Sequence, residues 1–271
     1  MVDRKSERNV TVKHRDEKYA DRYRTAIWQE ESEHDNPFIE TDAYCRGYRF
    51  EDLVANTSYA EMVFLMIKGE LPSSSQKALF EKVLVAFSHP GIRNDAVRAA
   101  ILAGVGKTVP ENVLPIATLV FGGSRTGAGD VEKMMRFFAK NKRKLPADVL
   151  AVQEQPIVLG QYFGEADVMA AKICAWLMGD EQETPHLHWG KALVAEAQAS
   201  DANIGWTKAA VAAALFCDLG FMPKFGVGLL QMMAAPGLLA QGFEHANKPA
   251  TVLPFVSDDD YELSAQVGND E

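Results

Sequence analysis

Apolar residues recur at helical spacing through most of the chain beyond residue 50. In FEDLVANTSYAEMVFLMIKGELP (50–72), Leu53-Val54, Tyr59, Met62-Val63 and Leu65-Met66 follow that period. Thr57 or Ser58 caps a helix there, with Glu61 in its first turn, Gly69 at its end and Pro72 just beyond. The pattern predicts further helices over 73–87, ended by His89-Pro90-Gly91, and over 95–102, 112–120, 131–140, 146–153 and 167–178. After a loop at 179–190, a helix starts at Lys191, and an alanine-rich one spans 207–219. Residues 225–246 are mostly apolar, with Pro236-Gly237 expected to interrupt them. Residues 25–49 read differently. Ile27, Trp28, Phe38, Ile39, Tyr44 and Tyr48 are β-formers without helical period, broken by Asp35-Asn36-Pro37, which predicts a short hairpin. There is no βαβ alternation, so the fold class is all-α with a small N-terminal β-hairpin.

One break between helices has chemical interest. In ENVLPIATLVFGGSRTGAGDVEKMM (111–135), Phe121 to Gly129 is glycine-rich and a second helix starts at Asp130. Gly122 and Gly123 let backbone approach a neighbour closely, and the free amides of the next helix form a weakly positive cup. Two readings stand: a pocket floor, or a plain helix end, loop and N-cap. PIVLGQYFGEAD (156–167) is a second loop of this kind.

Composition narrows the function classes. The chain has 271 residues, 47% of them hydrophobic, which is enough for one large domain or two modest ones with a real core. With a net charge of −9 and no basic stripe, nucleic acid is not an expected partner. Cys45, Cys174 and Cys217 have no paired spacing, which points to reduced thiols and a cytoplasmic setting. MVDRKSERNV has no apolar core of the signal-peptide kind, and no apolar run approaches the roughly 20 residues of a membrane span, so no membrane is expected. Residues 1–23 form a densely charged arm, either solvated or clasping a partner, and the acidic tail reads as solvated.

Six pieces in one order, together spanning roughly 25–249, resemble the citrate synthase family. YCRGYRFEDL (44–53) is similar to its "RGY-x-[IF]-EDL" signature, and AEMVFLMIKGELP (60–72) to the next helix, which ends "GELP". VFGGSRTGAGDVEKMM (120–135) resembles the "HGGAxE" break, and LGQYFGEAD (159–167) the "GFGH…DPR" loop. DANIGWTKAAV (201–211) resembles "NVDFYSG", and MMAAPGLLAQGFEHANKP (232–249) resembles "ISRxxGWxAHxxE…RP". The short stretch between GELP and FGG is like the compact citryl-CoA lyase branch, which includes the lyase module of ATP-citrate lyase. That module also has phenylalanine before Gly-Gly, where the synthases have histidine. The resemblance implies two helical domains closing over a cleft, here 24–120 with 231–271, and 121–230. It also implies a homodimer or dimer of dimers, no cofactor, and chemistry that joins or splits an acyl-CoA and an oxo acid.

That chemistry needs groups to polarise the thioester and keto oxygens, a carboxylate to move the proton beside the carbonyl, and arginines to clamp carboxylates. Carried over residue by residue, the family's first histidine is Phe121, its second falls on or near Phe163, and its aspartate is Gly205. The arginine of "ISR" is Ala234, the histidine of "GWxAH" is Gln241, and "RP" is Lys248-Pro249. Asp167 matches the aspartate of "DPR", whose arginine is Met169, and Glu244 matches the glutamate after "AH". Substitute groups are available. Arg125 faces either the cleft, to hold a carboxylate or phosphate, or solvent. Tyr162 is an oxyanion donor or a packing aromatic. Glu165 and Asp167 are candidate bases, with a helix N-cap the alternative for Asp167. Phe121, Gly122, Gly123, Arg125, Phe163, Gly205 and Gln241 are then the candidate substrate-contacting positions, and Tyr162, Glu165 and Asp167 the candidate catalytic ones. His186 and His188 share a side in an extended loop, as metal ligands can, but nothing is spaced to complete a site; a structural loop or partner contact is the preferred reading and no metal is expected. Two roles remain: an acyl-CoA lyase or synthase with an unorthodox site, or a non-catalytic binding or regulatory subunit, with a catalytic paralogue as its partner.

Overall fold

The computed structural model describes residues 20–153 and 155–262. Most of the charged arm (1–23) and the last acidic residues lie outside that range; Asp258 to Asp260 lie within it and are exposed. The chain forms two compact units, one ending at Asn56 and one beginning at Thr57.

The expected hairpin is present in the first unit. Strands β1 (Trp28–Ser32) and β2 (Glu40–Cys45) run antiparallel with Trp28 opposite Cys45 and Glu30 opposite Ala43. A third short strand, β3 (Tyr48–Arg49), pairs with β2. Arg46 and Gly47, with φ of 52° and 86°, make the tight turn between them, as a two-residue hairpin with both central residues at positive φ requires. Helix α1 (Phe50–Asn56) follows at once, and the Trp28 ring meets Phe50 edge-on at 5.0 Å.

The second unit is helical. It contains α2 (Tyr59–Lys68), α3 (Ser74–Ala86), α4 (Asp95–Val105), α5 (Pro110–Phe121), α6 (Val131–Asn141), α7 (Pro146–Val152), α8 (Val168–Leu177), α9 (Pro185–Gln198), α10 (Lys208–Asp218) and α11 (Gly226–Ala246). Local chemistry sets several of their ends. Ser58 and Glu61 form a reciprocal capping box on α2, which ends at Gly69 with φ 93°. Ser73 and Gln76 do the same for α3. Asp167 caps α8 by accepting the Met169 and Ala170 amides at 2.9 and 3.0 Å.

Helix α10 runs through the middle of the core. Ala210 to Phe216 are all fully buried, as expected for a helix apolar on every side. Its neighbours are α6, α8 and α9 of the same chain, so this alanine-rich helix is hidden without a second copy. Phe64, Phe80 and Phe221 form a second nucleus, with ring centroids 5.1 to 5.6 Å apart.

Two boundaries differ from the sequence expectation. Helix α9 starts at Pro185, not Lys191, so His186 and His188 sit in its first turn. The cap is remote: the buried Asp218 carboxylate accepts the His186 amide at 2.7 Å and the Leu187 amide at 3.1 Å. It also holds the His186 ring through Nδ1 at 2.7 Å, while His188 Nε2 pairs with the Gly179 carbonyl at 2.8 Å. Two residues apart on a helix, the histidines face different ways. No group of three or more metal-binding side chains occurs among the described residues. The second difference is α11, which runs unbroken through Pro236. The Gly237 amide donates outside the helix, to the Ser88 carbonyl at 3.0 Å, so a neighbouring turn satisfies a group that the proline disturbs. Among the described residues no helix is long and apolar enough to cross a membrane.

Candidate functional site

Three loops and two helix starts surround a cavity of about 370 Å³ in the second unit. The first loop is the turn at 89–91, where the Gly91 amide donates to His89 Nδ1 at 2.9 Å. That bond makes Nδ1 the acceptor and leaves the ring proton on Nε2. The second loop is the glycine-rich break after α5. It folds back on itself: the Ala128 amide donates to the Phe121 carbonyl at 2.7 Å and the Gly129 amide to the Gly123 carbonyl at 3.1 Å. A Cβ on Gly129 would lie 2.5 Å from the Gly122 carbonyl oxygen, so the fold-back needs glycine there. Asn94 ties the first two loops together. Its Oδ1 accepts the Ala96 amide at 2.9 Å to cap α4, and its Nδ2 donates to the Thr126 carbonyl at 2.8 Å.

The third loop, 156–167, is anchored by a short antiparallel pair, β4 (Leu159–Gly160) with β5 (Gly205–Trp206). This pairing carries Gln161 and Tyr162 to the cavity beside Thr207 and Lys208 at the start of α10. Beyond it, Tyr162 and Glu165 bridge a tight turn with Phe163 and Gly164 at φ 53° and 87°. Helix α8 then presents Met169, Ile173 and Trp176 to the cavity at helical spacing.

Of the candidate positions, Phe121, Arg125, Tyr162 and Asp167 all line this cavity. Phe121 is buried at the end of α5. Arg125 is exposed and has neither a hydrogen bond nor an ion pair among the described residues. Asp167 has its Oδ1 engaged as the α8 cap. Gly122 and Gly123 shape the loop behind the wall without lining it. Phe163 stands at the turn tip, 75% exposed and stacked edge-on against Tyr162, and is not part of the lining. Glu165 faces solvent. Gly205 is buried in β5, next to the lining residue Trp206. Gln241 does not line the cavity; it sits on α11, where its side chain donates to Glu244 at 2.8 Å. Ala234 is fully buried on the same helix.

The structure adds lining residues that the sequence did not single out: His89, Asn94 and Trp176, and, within the 201–211 stretch where only Gly205 was a candidate, Trp206 and Lys208. Lys208 has no hydrogen bond or ion pair among the described residues, and its Nζ lies 3.8 Å from where a Gly91 Cβ would sit. The cavity therefore joins Arg125 and Lys208, two cations unpaired among the described residues, to an aromatic and aliphatic wall. Such a surface suits an anion with an apolar part.

No family model matches the sequence, and no curated protein matches it. Solved structures do. The chain is similar to citryl-CoA lyase from Hydrogenobacter thermophilus, with a TM-score of 0.72 and 24% identity over 90% of this chain and 94% of that one. It is similar to ATP citrate lyase from Methanosaeta concilii, solved in complex with (3S)-citryl-CoA, with a TM-score of 0.69 and 14% identity over 93% of this chain and 43% of that one. A citrate synthase from Thermoplasma acidophilum, in a ternary complex with carboxymethyl coenzyme A and oxaloacetate, aligns with a TM-score of 0.58 and 14% identity over 77% and 58% of the two chains. Helix order, the glycine-rich break and these alignments agree: the chain has a citrate synthase-like, citryl-CoA lyase-like fold.

Proposed function

We propose that this chain binds an acyl-CoA or a carboxylate in the cavity and does not carry out citrate-type carbon–carbon chemistry. One observation carries the reading: Arg125 and Lys208, unpaired among the described residues, share the cavity with a wall in which Phe121 stands where the synthases, though not the ATP-citrate lyase module, carry an imidazole. A phenyl ring can neither donate to an enolate nor transfer a proton. Gly205 and Ala234 add no such group, since one lacks a side chain and the other is a buried methyl. The solved relatives of this fold hold citryl-CoA, or carboxymethyl coenzyme A with oxaloacetate, which supports a ligand of this general class.

A second reading, an enzyme with an unorthodox site, is favoured by one detail. Tyr162 and Asp167 line the same cavity, and the second carboxylate oxygen of Asp167 takes no part in the helix cap. Glu165, the third candidate, lies just outside.

The assembly proposed is a cytoplasmic homodimer, or a dimer of dimers, with a catalytic paralogue as the partner on the regulatory reading. Exposed Leu102 on α4 and Leu119 and Val120 on α5 are the apolar surface that supports it. The division into 24–120 with 231–271, and 121–230, belongs to the same proposal; the cavity draws its lining from residues 86–94 and from residues 121–230.

A thermal-shift screen with CoA esters and mono-, di- and tricarboxylates tests the binding role. A ligand at 100 times its dissociation constant stabilises by ~2.7 kcal/mol, which is a rise of roughly 5–10 °C for a chain of this size. Silence from every CoA ester and every carboxylate removes the proposal.

A further inference from the structure

The cavity matches an acid with an apolar body better than a small polyacid. Phe87, Phe121, Ile173, Trp176, Trp206 and Leu230 give it its apolar walls, Ile173 and Trp176 both from α8 and the others each from a different element. Only two lining side chains carry a fixed positive charge, Arg125 and Lys208, and both lack partners among the described residues. Several other polar groups are engaged: Asn94 uses its amide between Ala96 and Thr126, His89 Nδ1 accepts the Gly91 amide, Gln161 donates to Asp201, Thr207 accepts the Ala210 amide, and Asp167 caps α8. The Ser124, Thr126 and Tyr162 hydroxyls and His89 Nε2 remain as donors, without the fixed charge of Arg125 and Lys208. A di- or tricarboxylate would set its further charges against indole, aliphatic carbon and a few neutral donors, with no further cation in the lining to offset their lost hydration. A single carboxylate, by contrast, fits the paired N–H geometry of Arg125 with Lys208 as a second charge.

We infer that the site takes a monocarboxylic acid with a medium-length apolar tail, its carboxylate on Arg125 and Lys208 and its tail along Phe121, Trp206 and Ile173; this rests on the proposed binding role. The cavity of about 370 Å³ is of the right order, near the small end of ligand sites, which run roughly 300–1,000 Å³.

Calorimetric titration of the full chain with butyrate, hexanoate, octanoate, citrate and acetyl-CoA tests it. The expected result is a dissociation constant that tightens about fourfold per added methylene, the equivalent of ~0.8 kcal/mol per buried CH₂, and citrate at least ~10-fold weaker than octanoate, because its further charges stay unpaired. Arg125→Met and Lys208→Met should each weaken octanoate about 10-fold through loss of a charge-assisted bond, with the ligand-free melting temperature unchanged, since neither side chain has a hydrogen-bond or ion-pair partner among the described residues to lose. Citrate binding more tightly than octanoate, with no chain-length trend, would overturn this inference and leave the binding role standing. Octanoate binding that ignores both substitutions would overturn it as well. Binding of none of the five ligands would overturn both.

Discussion

Two alanine substitutions on crossing helices should shift stability in opposite directions. Gly104 on α4 faces α11 at close range: a Cβ there would overlap the Gly242 carbonyl oxygen and lie 3.2 Å from the Ala246 nitrogen. Both obstructions are backbone of a 21-residue helix and cannot swing aside. Overpacking of this kind costs typically ~1–3 kcal/mol. Against it stands the helical preference of alanine over glycine, about 0.5–1 kcal/mol. The obstruction is main chain, so the upper part of the penalty applies and Gly104→Ala should lose about 1–2.5 kcal/mol. Gly228, also on α11, has nothing within 4 Å of its would-be Cβ. Gly228→Ala should therefore gain about 0.5–1 kcal/mol. At roughly 2–4 °C per kcal/mol, the first variant should melt about 2–10 °C lower and the second about 1–4 °C higher. Thermal unfolding followed by far-UV circular dichroism reads both. A Gly104→Ala protein that melts at or above the parent temperature would refute the close α4–α11 crossing.

Asp218→Ala should be among the more damaging single changes, ~3 kcal/mol or more, because two buried amides and the His186 ring lose their acceptor; Asp218→Asn, which keeps one oxygen, should cost less in the same denaturant titration. Phe121→His should lower stability by ~1–3 kcal/mol through burial of an unpaired imidazole, and it should not confer citrate synthesis in a thiol-release assay. Burial pushes the Cys174 thiol up to about 11 and the Cys217 thiol up to about 12, from an ordinary value of 9.0. Both are raised, so their contribution is intact below about pH 9 and is lost as pH rises toward 11 to 12, once the unfolded chain ionises first. A melting temperature that held or rose across that window would contradict this.

Features written in neighbouring residues were legible, and features made by distant ones were not. Ser58 with Glu61, Gly69, and Asp167 before α8 are local caps, and each marks its helix end as expected. The start of α9 was hidden because its cap is Asp218, more than 30 residues further on, while Thr184 beside it makes no side-chain cap. Pro236 reads as a break because nothing nearby in sequence reveals that Ser88 will receive the Gly237 amide. The cavity divides in the same way. Phe121 and Arg125 stand in a glycine-rich break that can be seen, as does the 156–167 loop that brings Tyr162 and Asp167. His89, Trp176 and the Trp206–Lys208 pair come from three separate stretches, in the last of which the resemblance pointed only to Gly205, and only the β4–β5 pairing and the α8 face gather Trp176, Trp206 and Lys208 with the rest.

The proposed binding role without citrate chemistry is put to the test by a coupled assay on the purified chain, following thiol release from acetyl-CoA with oxaloacetate, and oxaloacetate release from citryl-CoA. No turnover above background is expected in either direction. Turnover of even ~1 s⁻¹, within the ordinary enzyme range, abolished by Tyr162→Phe, Glu165→Gln or Asp167→Asn, would contradict it and assign the chemistry to the loop at 160–167.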